Sequence, residues 1–267
     1  MAHDILSRNN VRVSGRGTQP MLFAHGFGCD QNMWRLVAPR FEDRFRVVTF
    51  DYVGSGGARA PYDPERYSTL AGYAEDVLRI CRELDLTEVV FVGHSVSAMI
   101  GVLAEIAEPE RFSALVMVGP SPRYVDDEEY VGGFQRDDIE GLLESLASNY
   151  LGWSHAMAPV IMANPERPEL GGELEASFCT VDPAIAEQFA RATFLSDNRD
   201  DLRKVRAPSL VLQCQEDVIA PPEVGRYVAD QLPDATLVLL AATGHCPHLS
   251  APDQVVTAID EFLERRR

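Results

Sequence analysis

In Val89-Val90-Phe91-Val92-Gly93-His94-Ser95-Val96-Ser97-Ala98-Met99-Ile100-Gly101-Val102-Leu103-Ala104-Glu105-Ile106, two periodicities meet. The first four residues are β-branched or aromatic, as a buried strand requires. Met99, Ile100, Leu103 and Ile106 then return with the three-to-four spacing of a buried helix face. The spacing predicts a strand that turns sharply into a helix at Ser95. Such a turn strains the serine backbone, lifts its hydroxyl out at the C-terminal edge of a sheet, and aims the first free N–H groups of the helix at anything bound there. A serine N-cap on an ordinary βα turn would have the same local sequence. Gly93 favours the tight elbow, because a residue without Cβ is needed close to the serine. The second glycine usual in such elbows is Ser97 here, one of the smallest replacements and compatible with close helix–strand packing.

Outward from this stretch, further apolar strands alternate with helices. Met21–Ala24, Arg46–Phe50, Ala114–Val118, Ser209–Cys214 and Thr236–Leu240 read as strands, the pattern of a parallel sheet covered on both faces. Residues 4–15 read as a weak hairpin turning at Asn9-Asn10, and Gln31–Phe41, Ser68–Leu84, Pro222–Leu232 and Pro252–Glu264 as helices. Between Ser121 and Asp197 no strand is expected. Helices are predicted there over Asp138–Tyr150, Ser154–Ala163, Glu173–Cys179 and Pro183–Leu195, an all-helical insertion.

In a parallel sheet, the loops after the strands share one edge. The loops carrying Asp217 and His245 therefore emerge beside Ser95. A serine hydroxyl needs a base near neutral pKa, and an imidazole needs a carboxylate to hold its tautomer, so Ser95, His245 and Asp217 have the residue types and chain order of a nucleophilic triad. His25-Gly26-Phe27-Gly28 follows a strand, and its glycines would let the Phe27 N–H face a cavity; a plain glycine turn would look alike in isolation. The N–H groups of Phe27 and Val96 are the expected oxyanion donors. His94 and His248 read as packing histidines. Tyr52-Val53-Gly54-Ser55-Gly56-Gly57 lacks the lysine of a phosphate loop. No metal or cofactor is expected.

The 267 residues, 46% of them hydrophobic, suffice for one core with an accessory lobe. A formal charge of −17 argues against nucleic-acid or anionic-membrane surfaces. Five cysteines without regular spacing fit buried thiols in a reducing compartment, and no apolar run is long enough for a membrane span, so a cytoplasmic protein is expected.

The segments His25-Gly26-Phe27-Gly28, Gly93-His94-Ser95-Val96-Ser97-Ala98-Met99-Ile100-Gly101 and Gly244-His245-Cys246-Pro247-His248-Leu249-Ser250 resemble the α/β-hydrolases of the RsbQ-like group of bacterial stress regulators. The plant karrikin and strigolactone receptors are similar. Gly132-Gly133-Phe134-Gln135, Ser148-Asn149-Tyr150-Leu151-Gly152-Trp153 and Phe194-Leu195-Ser196-Asp197-Asn198-Arg199 extend the likeness into the insertion. The resemblance implies an α/β-hydrolase fold, a mostly parallel doubly wound sheet. Residues 1–120 and 198–267 would form the core, and 121–197 a four-helix cap inserted between strands. It implies that Phe27, Tyr124, Phe134, Leu142, Trp153, Met157, Phe178 and Phe194 line a deep apolar pocket over the serine. Read from the residues alone, the aromatics among them could simply be cap core. It further implies cleavage of a small hydrophobic ester or lactone, either by a ligand sensor that regulates a protein partner through its cap or by a plain esterase. A haloperoxidase or C–C hydrolase would carry the same triad.

Overall fold

A computed structural model describes residues 5–58 and 60–266. The strands are β1 (Arg12–Ser14), β2 (Pro20–Ala24), β3 (Arg46–Thr49), β4 (Val89–His94), β5 (Phe112–Val118), β6 (Ser209–Glu216) and β7 (Ala235–Thr243). The helices are α1 (Ile5–Arg8), α2 (Leu70–Glu83), α3 (Val96–Ala107), α4 (Arg136–Ser148), α5 (Tyr150–Met162), α6 (Pro168–Phe178), α7 (Pro183–Phe194), α8 (Arg199–Leu202), α9 (Pro222–Gln231), α10 (Pro247–Ser250) and α11 (Pro252–Glu264). The strands form one sheet in the order β1-β3-β2-β4-β5-β6-β7. All pairings are parallel except that of β1 with β3.

β4 and β5, near the sheet centre, are buried almost throughout, so their side chains must be apolar on both faces. One face packs Leu22, Val48, Phe91 and Leu115 against α2 and α3, with Val77, Ile80, Met99 and Ile100 completing the layer. The other packs Met21, Phe23, Val90, Val92 and Val116 against Trp34, Phe41 and the α11 residues Val255, Ile259 and Phe262. The helices α4–α7 lie between β5 and β6 in sequence and share a third apolar cluster with Cys29, Ile219 and Cys246, which sit in loops at the carboxyl edge of the sheet.

Two expectations are corrected. The hairpin over residues 4–15 is instead helix α1 followed by β1, whose Val13 pairs with Val48 at the sheet edge; its Asp4 lies outside the described residues. The turn residue Asn10 does take a positive φ of 46°, but it ends a helix, and its side chain donates to Asp51 at 2.6 Å. Gln31–Phe41 is not one helix but two 3₁₀ turns, Gln31–Trp34 and Ala38–Phe41. Pro39 has no N–H to continue the ladder from the first turn, so the second starts afresh around it.

Candidate active site

Ser95 joins β4 to α3 with φ 55° and ψ −123°, outside the regions open to ordinary residues, and its N–H donates to the Val118 carbonyl at 2.8 Å. The turn is this tight because Gly93 leaves room for it. A Cβ on Gly93 would lie 2.5 Å from the Ser97 carbonyl oxygen. The hydroxyl of Ser95 is 2.7 Å from His245 Nε2, and His245 Nδ1 is 2.7 Å from Asp217 Oδ2. Asp217 follows β6, and its other oxygen accepts from the N–H groups of Ile219 at 2.8 Å and Ala220 at 3.1 Å. These two bonds hold the carboxylate in place and leave Oδ2 for the imidazole.

His245 follows β7 on a loop fixed at two points: Gly244 N–H donates to Glu216 at 2.7 Å, and His245 N–H to the Ile161 carbonyl at 2.9 Å. All three side chains are buried.

Across the elbow, Val96 is the first residue of α3, so its N–H has no partner within the helix. The Phe27 N–H likewise appears in none of the loop hydrogen bonds among the described residues. One brace ties the two backbone segments together. Ser97 Oγ donates to the His25 carbonyl at 2.5 Å and stands 2.8 Å from the Tyr52 hydroxyl, which must then be the donor to it. His25 Nε2 accepts from the Tyr52 N–H at 3.2 Å, which assigns its proton to Nδ1, facing the Gly26 carbonyl at 2.9 Å. The brace could not be read from sequence, where Ser97 registered only as a small residue in a glycine position.

A small cavity opens over Ser95. Phe27, Tyr124, Trp153, Phe178 and Phe194 line it. Phe134, Leu142 and Met157 do not, which corrects the expectation for them. All three are half-buried and pack against the cluster formed by α4–α7. On α4 the buried stripe is Ile139, Leu143 and Leu146, leaving Leu142 on its flank. Phe134 holds the segment before α4 through its backbone, its N–H donating to the Tyr124 carbonyl at 3.2 Å. Cys29, Ile161, Leu174, Thr193, Ile219 and Cys246 line the cavity without having been named as lining residues from sequence. They come from six separate segments, so only folding brings them together.

Burial raises the Tyr124 phenol to about 12, opposed by its hydrogen bond with Ser95, so the ring enters the site as a neutral hydroxyl. Burial likewise drives His94 well below the usual imidazole range and His248 to about 3. His94 Nε2 lies 2.8 Å from the His245 carbonyl, so this neutral ring supports the backbone of the histidine facing Ser95. His94, Cys246 and His248 bring possible ligand atoms within 4.8 Å of one another. Burial holds the Cys246 thiol well above its ordinary value, however, so it is a poor nucleophile beside Ser95.

The model of the alpha/beta hydrolase family matches residues 21–258. The strigolactone esterase D14 of Arabidopsis thaliana is 40% identical over 98% of this chain and 99% of its own length. The karrikin insensitive 2 receptor CA of Petunia hybrida is 40% identical over 94% of each. A hydrolase from Oleispira antarctica superposes with a TM-score of 0.95 at 44% identity, covering 98% of this chain and 96% of that one. The fold, the match across most of the chain and these full-length relatives together place the protein in the alpha/beta hydrolase family.

Proposed function

We propose that this protein is a serine hydrolase that cleaves small hydrophobic esters or lactones, with residues 121–197 acting as a cap over a core formed by 1–120 and 198–267. Ser95 Oγ attacks the carbonyl carbon as His245 Nε2 takes its proton, and Asp217 holds the imidazole in the tautomer that can accept it. The charge that develops on the carbonyl oxygen is met by the N–H groups of Phe27 and Val96. The carbon–oxygen bond to the leaving group then breaks as His245 returns the proton to that oxygen. Water, activated by the same imidazole, releases the acyl group from Ser95. One observation carries this reading: the unbroken relay Ser95–His245–Asp217, with both contacts at 2.7 Å, opens into an aromatic cavity.

The relative named an esterase supports ester cleavage, and the one named a receptor supports a second layer. In that layer hydrolysis is slow and the ligand state changes the cap surface offered to a protein partner. Glu128, Glu129 and Asp137 are exposed on this surface, whereas Asp126 is engaged by the N–H groups of Gly132 and Gly133.

The test is turnover of p-nitrophenyl acetate and a panel of small lactones by wild type and Ser95→Ala, with circular dichroism to verify folding. Loss of at least about a thousandfold in Ser95→Ala is expected, and near-native turnover in that variant would overturn the triad. Pull-downs from the native host, with charge reversals at Glu128 and Glu129, separate sensor from plain esterase. Turnover of about 10 per second or more, with no retained partner, leaves the esterase.

A further inference from the structure

Gln213 is fully buried in β6, between Leu212 and Cys214, and shares a sheet face with Val211, which clusters with Val224 and Val228 of α9. An aliphatic residue would fill this place without the desolvation of an amide. The amide nitrogen donates to the Ala220 carbonyl at 2.7 Å and to that of Cys214 at 3.3 Å. Two carbonyl acceptors fix the nitrogen on that side of the group. The oxygen, Oε1, has no hydrogen-bond partner. Half of the amide is therefore buried and unused, and what the group does lies with its nitrogen. Helix α9 also leaves room for it. A Cβ on Gly225 would come within 2.7 Å of Oε1 and 2.9 Å of Gln213 Cβ, and this glycine stands in the helix interior, where alanine is the better helix former.

The bond to Ala220 reaches the acid of the triad. Asp217 Oδ1 accepts from the N–H groups of Ile219 and Ala220, so the carboxylate and the turn 217–220 are locked to each other. Those bonds shape the turn but do not fix it against the sheet. Gln213 supplies that fixed point, because it belongs to β6 and holds the carbonyl at the far end of the turn. Asp217 Oδ2 then stands 2.7 Å from His245 Nδ1. We propose that Gln213 is a positioning residue for Asp217: through the Ala220 carbonyl it sets where the carboxylate meets the imidazole. Gln213 is not among the residues lining the cavity, so its effect on a bound ester runs through the triad. The kinetic consequence rests on the hydrolase reading; the placement of the Asp217–His245 bond does not.

Gln213→Met keeps the length of the side chain and removes the donor. Its kcat for p-nitrophenyl acetate, per folded molecule by circular dichroism, should fall about tenfold with KM unchanged, because no ground-state contact is touched. Added to Asp217→Asn, the same substitution should slow labelling of Ser95 by a fluorophosphonate less than about twofold, because the carboxylate it positions is already gone. Gly225→Ala displaces the same amide without removing it, and kcat should fall there too; if either variant fails to fold, the other decides. A readout free of turnover is the low-field proton resonance of His245 Nδ1–H, identified by its loss in Asp217→Asn. It should broaden or move upfield in Gln213→Met and Gly225→Ala. Such a change, in a protein whose wild type turns over no ester, would keep the positioning role and remove the hydrolase reading. A resonance unchanged in both variants would overturn the proposal, whatever happens to Tm. An equal fall in rate with and without the Asp217 carboxylate would overturn it as well.

Discussion

At Ser97 a single hydroxyl connects the two backbone segments that carry the Val96 and Phe27 N–H groups, because it sits one residue past the first and donates to His25, two residues before the second. Ser97→Ala removes this brace and leaves the Tyr52 hydroxyl and the His25 carbonyl buried without a partner. The folded state should lose about 1–3 kcal/mol for the unpaired groups. Complete loss of an oxyanion donor typically costs about 2.7–4 kcal/mol of transition-state stabilisation, so a brace that only misaligns one should lower kcat less, by about tenfold. KM should change little. Affinity for a trifluoromethyl ketone should fall in parallel with kcat, which a purely structural role for Ser97 would not produce. Asp217→Asn should keep the ring position but supply the wrong tautomer. Its kcat is expected to drop by several orders of magnitude, and wild-type activity would show that another acid orients His245.

At the scale of elements, the loop after β7 and the end of α5 are fitted to each other. Gly244 has φ 89°, and a Cβ there would come within 1.9 Å of the Met162 carbonyl oxygen. Because that oxygen is backbone, Gly244→Ala must push α5 away from the loop bearing His245. Activity should fall more than Tm, measured by ester turnover beside thermal unfolding.

The entry to and exit from α4–α7 are tied in a similar way. Arg123 bonds Asp197 at 2.7 Å, and Arg199 reaches Asp197 at 2.8 Å and Asp127 at 3.1 Å. Burial opposes ionisation of Asp197, but the bonds from Arg199 and Arg123 outweigh it and hold its carboxyl at about 2. Partly exposed ion pairs contribute little singly, so Arg199→Ala should cost only about 1 kcal/mol of global stability. It should nevertheless speed limited proteolysis between residues 121 and 134, with a wild-type digestion pattern counting against the tie.

Over the whole molecule, buried histidines set the acid limit of stability. Burial lowers the values of His25, His94 and His248, the last to about 3. In the unfolded chain each binds a proton below about pH 6.5, while in the folded chain each stays neutral to lower pH. The unfolded state therefore binds more protons, and stability is greatest above about pH 6.5 and declines as the pH falls toward 3. The slope is of order 1 kcal/mol per pH unit for each such histidine. Urea midpoints should drop clearly between pH 7.5 and 5.5, and equal midpoints would mean that these rings are charged in the folded protein.

Local pattern was enough for the parallel sheet, the Ser95 elbow and the order serine, aspartate, histidine. Apolar periodicity reports burial directly, and parallel strands deliver their following loops to one edge whatever the detail between them. It failed at Asn9-Asn10, because a positive-φ asparagine serves a helix end as well as a hairpin, and at Pro39, where helical periodicity ran through a residue that breaks the ladder. Which side chains line the cavity was settled by packing. Phe134, Leu142 and Met157 have the apolar character of lining residues, but the rotation of each element turns them aside, while Thr193 and Leu174 are turned inward. The Ser97 brace exists only as contacts between segments distant in the chain, and no single stretch of sequence encodes it.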